Sequence, residues 1–219
     1  MGNRCLIVPK GQENLGVYLH WNGGVDSVTA FLTYCKMKEY RPFGGKNADG
    51  YGIARFVQVV GNFFGGGLSI GIEAITTELT EDYAGAYDNG IYIIDGWEIC
   101  KRIGEWVTYL GHEGYDLMKM LIDIDKAQPT EEQLGEEYLK SEEVDAAELE
   151  IGDRVYVMDY DGKVEQYTIQ GFADNSNLPD FNRPLIGSPY INKYNEVNGK
   201  INPNNFLTGK VRRVRKEEV

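Results

Sequence analysis

The residues best suited to chemistry lie in one run, residues 15–38, LGVYLHWNGGVDSVTAFLTYCKMK. His20 carries an imidazole that can act as a general base near neutral pH or contact a phosphate. Asn22-Gly23-Gly24 follows as a glycine corner, and Asp26 and Ser27 stand where a helix would begin. Backbone N–H groups at such a corner, with a helix N-terminus behind them, favour an anion. The same residues have a structural reading, in which His20 ties the corner to a backbone carbonyl and Asp26 and Ser27 are plain N-caps. With the flanking aromatics, the candidate ligand- or partner-binding set is Tyr18, His20, Trp21, Asn22, Gly23, Gly24, Asp26 and Ser27. No catalytic set can be completed around it. His112 stands in a GHEG turn beside Glu113, without an HExxH, CxxC or paired-histidine spacing, so neither a metal nor a cofactor is expected.

The elements that must position these residues follow from periodicity. Val17, Leu19 and Trp21 alternate with Tyr18, His20 and Asn22, the pattern of a half-buried strand. Residues 3–9 read as a strand, 10–14 as a turn and 16–21 as the return strand, so the glycine corner closes a hairpin. Val28, Phe31, Leu32 and Cys35 then fall at i, i+3, i+4 and i+7, which predicts a helix to about Lys38. Ile53, Phe56, Val57 and Val60 mark a second helix from just after Gly52. Gly65-Gly66-Gly67 ends it, as a helix-to-strand connection or as an anion nest. Strands are predicted over 68–75 and, after an Asn89-Gly90 turn, over 90–95. Trp97, Ile99, Ile103, Trp106 and Val107 fit a helix or a tight strand pair. Residues 115–125 predict a helix with Leu117, Met118, Leu121 and Ile122 inward.

The corner carries two resemblances. Asn22 to Ser27, NGGVDS, resembles the SGGxDS loop of the ATP pyrophosphatases, with Asn22 in place of the first Ser. That likeness implies a loop holding the pyrophosphate of ATP. His20-Trp21-Asn22-Gly23-Gly24-Val25, with an Arg near the start and the strand DNGIYIIDGW at 88–97, resembles small uncharacterised proteins of phages and mobile elements, whose corner reads close to HWDGYP. This likeness spans roughly the first hundred residues and implies a phage or prophage context.

Charge and composition bound the rest. The net charge is −12, and residues 131–150 hold nine acidic side chains against Lys140 alone. Acidity gathered in one run reads as a solvated helix or linker and not as a nucleic-acid mimic. The division read from the sequence is therefore an α+β domain over 1–128 with a hairpin, helices and an antiparallel sheet, an acidic helix or linker over 129–149, and a small β domain over 150–219. In the last, residues 149–172 alternate, turn at Asp161-Gly162 and return, in the manner of an SH3-like barrel, a resemblance that implies attachment. Residues 171–205 read as a long loop, with a hairpin at Asn198-Gly199. Five cations between Lys210 and Lys216 read as a protected sheet edge or as a partner for an acidic surface, including the acidic run itself. Three widely spaced cysteines suit reduced thiols, Cys35 and Cys100 packing as small apolar groups. Fifteen tyrosines, many in polar neighbourhoods, tilt the balance towards recognition. No apolar run is long enough to span a bilayer and no basic-then-apolar leader is seen, so a cytoplasmic protein of a bacterial host is expected, with no membrane partner.

Together these readings predict a non-enzymatic accessory protein acting by stoichiometric binding. Its partner would be a host protein such as a CRISPR nuclease, or a small nucleotide signal, with direct nucleic-acid binding not expected. The alternative is an ATP pyrophosphatase-like enzyme using Asn22 to Ser27.

Overall fold

Cys-Leu-Ile-Val-Pro, wholly apolar, can only be a strand covered on both faces, and β1 (Cys5–Pro9) is buried at every residue. A computed structural model describes residues 3–47, 49–65, 69–104, 115–159, 162–174, 186–191 and 206–216 of the chain. It is a mixed helix-and-strand structure that divides into two units, Met1–Gln133 and Leu134–Val219. In the first, β1 pairs antiparallel with β2 (Leu15–Leu19) and parallel with β4 (Ile91–Asp95). Outside these lie β3 (Ile70–Ala74) and β5 (Glu98–Ile103), giving the order β3-β2-β1-β4-β5. The hairpin expected at residues 3–21 is present. The sheet is mixed and not purely antiparallel, because β4 returns beside β1 by a long crossover. Residues 98–103 resolve the choice between helix and strand pair in favour of the strand, and Trp106 and Val107 lie outside the described residues.

Alternation along β1 and β4 sends Leu6, Val8, Ile91 and Ile93 to one face, where Ile75, Ala84 and Tyr87 cover them. Most of this cover comes from the β3–β4 connection, which contains the short helix α3 (Glu81–Ala84). The helices α1 (Val25–Met37), α2 (Gly50–Phe64) and α4 (Leu117–Lys126) pack on one another and take the opposite face. Val28, Phe31, Leu32 and Cys35 of α1 are all buried, as their spacing predicts. Asp49 starts α2 three residues earlier than the apolar stripe suggests, its carboxylate accepting from the Tyr51 and Gly52 amides at 3.0 and 3.4 Å. The buried stripe runs through Ile53, Phe56, Val59 and Val60, with Val57 only half-buried. Gly65, at φ +64°, ends the helix in the left-handed conformation; Gly66 and Gly67, the rest of the proposed nest, lie outside the described residues.

α4 corrects the expected inward face. Leu121, Ile124 and Asp125 are buried, whereas Leu117 is exposed and Met118 and Ile122 are half-buried. The reason is polar: buried Tyr34 of α1 donates to Asp125 Oδ1 at 2.7 Å, and that bond sets the rotation of α4. Gln128 extends the network, donating to the Val59 and Ile124 carbonyls at 3.2 and 2.9 Å and accepting from Asn62 at 2.9 Å. Lys38, also buried, donates to the Glu132 carbonyl at 2.6 Å.

In the second unit, α5 (Glu136–Leu139) leads into β6 (Glu142–Asp145), then β7 (Arg154–Met158), β8 (Val164–Phe172), β9 (Pro189–Ile191) and β10 (Lys210–Arg213). Neighbouring strands pair antiparallel in the order β6-β10-β7-β8-β9 over a core of Val144, Leu149, Val155, Ile169 and Ile191. Among the described residues this sheet is open and does not close into a barrel. β9 lies within the stretch read as loop; Asp161 and Asn198-Gly199 fall outside the described residues.

The basic tail is not an edge. β10 sits between β6 and β7, with Lys210 opposite Asp145 and Arg213 opposite Glu142. Arg213 bridges Glu142 and Asp153 at 2.6 and 3.3 Å, and Lys216 bridges Glu150 and Asp153 at 2.8 and 3.1 Å. The acidic run is thus a paired strand flanked by short helices, with Tyr138, Leu139 and Val144 buried.

Replacing Tyr34 by Phe leaves the buried Asp125 carboxylate short of a donor, at a cost of about 1–3 kcal/mol. A lower urea midpoint with an unchanged slope is expected; an unchanged midpoint contradicts this role for the bond.

Candidate functional site

The corner after β2 is assembled from its backbone outward. His20 uses both main-chain groups: its N–H donates to the Ser69 carbonyl at 2.9 Å and its carbonyl accepts from the Asn3 amide at 3.0 Å. The backbone, not the ring, therefore ties the corner. The ring faces Tyr18, with Nδ1 2.9 Å from the Tyr18 hydroxyl, and stands edge-on to Trp21 at 5.1 Å. Trp21 is 44% exposed.

Asn22 turns the chain at φ +54°, its amide 3.4 Å from the Ser27 hydroxyl. Gly23 is pressed against the start of β1. Its N–H donates to the Asn3 carbonyl at 2.8 Å, its carbonyl accepts from buried Tyr92 at 3.0 Å, and a Cβ would lie 2.5 Å from the Asn3 oxygen. Gly24 is the N-cap of α1, with no side-chain cap. Asp26 and Ser27 are not caps: they lie within the first turn, because the chain enters helical geometry at Val25. The Asp26 carbonyl accepts from Tyr115, whose hydroxyl burial pushes up to about 12, at 3.0 Å. The acidic side chain of Asp26 in this turn already complements the helix dipole.

Four further residues hold the corner and were not legible as site residues. Arg4 grips Asp88 through Nε at 2.9 Å and Nη2 at 3.0 Å, and its amide adds a bond at 3.0 Å. This fork holds the Asp88 carboxyl down at about 2. Asn89 donates to the Asn3 side chain and takes the Arg4 carbonyl with its amide at 2.9 Å. Tyr92 is itself covered by the Arg102 guanidinium, 4.8 Å from its ring. The Asn89-Gly90 turn is visible in the sequence, but its partner lies more than eighty residues away at the N-terminus.

Elsewhere on this face, Tyr83 and Tyr87 both donate to Glu73 Oε1 at 2.6 Å. Of the fifteen tyrosines, Tyr34 and Tyr87 are buried and serve the core and not a recognition surface. A separate cleft of about 600 Å³ opens beside β5, at the end of the sheet away from the corner, over Leu79, Ile93 and Ile103. Cys100 lines it and is exposed rather than packed: the bulge between Ile93 and Ile94 leaves it without a register partner on β4, and its thiol donates to the Ile93 carbonyl at 3.3 Å. His112 and Glu113 lie outside the described residues. Among the described residues, no group of His, Cys, Asp and Glu is arranged to hold a metal ion, and no helix is long and apolar enough to cross a membrane.

No protein-family model, curated protein or solved structure matches the chain. Function is read from these residues alone.

Gly23→Ala forces the added Cβ into backbone and is expected to cost about 1–3 kcal/mol, read as a lowered melting temperature; an unchanged melt contradicts the close approach. Because the Asp88 carboxyl is depressed, its ion pair contributes stability above about pH 4 and loses it as pH falls towards 2. The melting-temperature gap between wild type and Asp88→Asn should therefore close over that window; a gap constant with pH argues against the pair.

Proposed function

We propose that the chain is a phage or mobile-element accessory protein acting by stoichiometric binding, and that it blocks a host defence system by capturing a protein such as a CRISPR nuclease or a nucleotide signal. One observation carries the preference for binding over catalysis: the Gly23 N–H and carbonyl are both spent on the fold. The Gly23 amide, which a phosphate loop would present to its ligand, donates to Asn3, and the acidic Asp26 stands in the turn where an anion would dock. What the corner offers outward is aromatic: Trp21 is exposed beside His20, and amphipathic rings of this kind are favoured at recognition surfaces. The phage context rests on His20-Trp21-Asn22-Gly23 and on the 88–97 strand. An attachment role for the second unit is supported by its five short antiparallel strands, in the manner of SH3-like modules.

The nucleotide-enzyme alternative has less support. Its loop follows a strand of a parallel sheet, whereas both neighbours of β2 are antiparallel.

Two measurements test the proposal. Phage plating on hosts carrying CRISPR or nucleotide-signalling defences should rise when the chain is expressed, and Trp21→Ala should lose most of that rise, about tenfold or more. Titration with ATP and Mg²⁺ should be silent; in a parallel panel of cyclic and linear dinucleotides, binding assigns the nucleotide signal as the partner and silence assigns a protein. Micromolar ATP binding abolished by Asp26→Ala would overturn the binding proposal in favour of the enzyme. Plating unchanged in every such host would remove the anti-defence role.

A further inference from the structure

The cleft beside β5 is independent of the corner and of the function proposed for it. Its volume, about 600 Å³, falls within the roughly 300–1,000 Å³ of sites that take drug-sized ligands. Its floor is apolar: Ile93 and Ile103 come from β4 and β5, and Leu79 from the connection that covers this face. The rim carries four charges, and two are already engaged. Lys10 holds Asp95 at 2.5 Å, and Glu13 Oε1 accepts the Gly11 amide at 2.8 Å. The side chains of Glu78 and Lys101 make no hydrogen bond or ion pair among the described residues. Lys101 is therefore a rim cation and Glu78 a rim anion with no partner, while Glu13 keeps its charge with one oxygen on the Gly11 amide, around an apolar floor.

We propose that this cleft binds a short apolar peptide with free termini, two or three residues long. Its ammonium sits on Glu78, its carboxylate on Lys101, and its side chains on Leu79, Ile93 and Ile103. A purely anionic ligand would be repelled by Glu78 and a purely cationic one by Lys101, so charge complementarity selects the zwitterion. The size of the cleft selects a peptide over a single amino acid.

Cys100 supplies the readout. It lines the cleft and is exposed, whereas Cys5 and Cys35 are buried, so a thiol reagent applied to the native protein reports on this site. The probes are trileucine, N-acetyl-trileucine, which lacks the ammonium, and trileucine amide, which lacks the carboxylate. Trileucine is expected to slow maleimide labelling of Cys100 with saturation, and blocking either end should weaken it about tenfold. On Glu78→Gln the acetylated and free peptides should become equivalent; on Lys101→Gln the amide and free acid should. Both side chains are exposed, so the variants should melt with the wild type. No slowing by any probe at millimolar concentration overturns the site. Equal slowing by blocked and free peptides, or sensitivity to one end alone, overturns the two-ended assignment.

Discussion

The first unit depends on the placement of β1 between an antiparallel and a parallel neighbour. A strand apolar at every position must be covered on both faces, so the chain needs helices on one side and a second layer on the other. The parallel neighbour β4 arrives only after the intervening chain has built α1, α2 and β3. The Arg4–Asp88 fork and the Asn3–Asn89 contacts fasten this late strand to the start of the first. Loop-closure entropy for such a contact is large, and a bidentate charged pair at the point of closure offsets part of it.

That fastening also decides what the glycine corner can do. Gly23 is small so that the loop can lie against Asn3, with Tyr92 beneath it. Once its amide and carbonyl are both bonded within the fold, Gly23 keeps the shape of an anion loop without offering its own donor. A sequence motif encodes backbone shape, and the neighbours decide whether the polar groups are left over for a ligand.

The same division explains what could be read in the chain. Local patterns were legible: the hairpin, the α1 stripe from Val28 to Cys35, and the β7–β8 alternation each depend on residues within one or two elements. The misjudged positions had distant polar partners. Leu117 and Met118 look like an inward face of α4 until Tyr34 is seen bonded to Asp125. Asp26 and Ser27 look like caps until Gly24 is seen as the cap. Cys100 looks like core until the bulge turns it out. The cleft could not be anticipated, since its floor and rim come from four separate segments.

The charge of −12 takes on a different meaning once the second unit is resolved. Glu142, Asp145 and Glu150, three of the nine acidic side chains of the run, and Asp153 beyond it face Arg213, Lys210 and Lys216 across paired or adjoining segments. Exposed pairs of this kind stabilise little one by one. Their consequence is register: sliding β10 by one residue would break the match of Lys210 with Asp145 and of Arg213 with Glu142, and would turn Val211 away from the core. Charge here selects an alignment for a strand that is otherwise short and weakly apolar. The acids that remain outside these pairs lie in the short helices on either side of β6 and in the strand itself, so the register is set by a few charges and not by the excess as a whole.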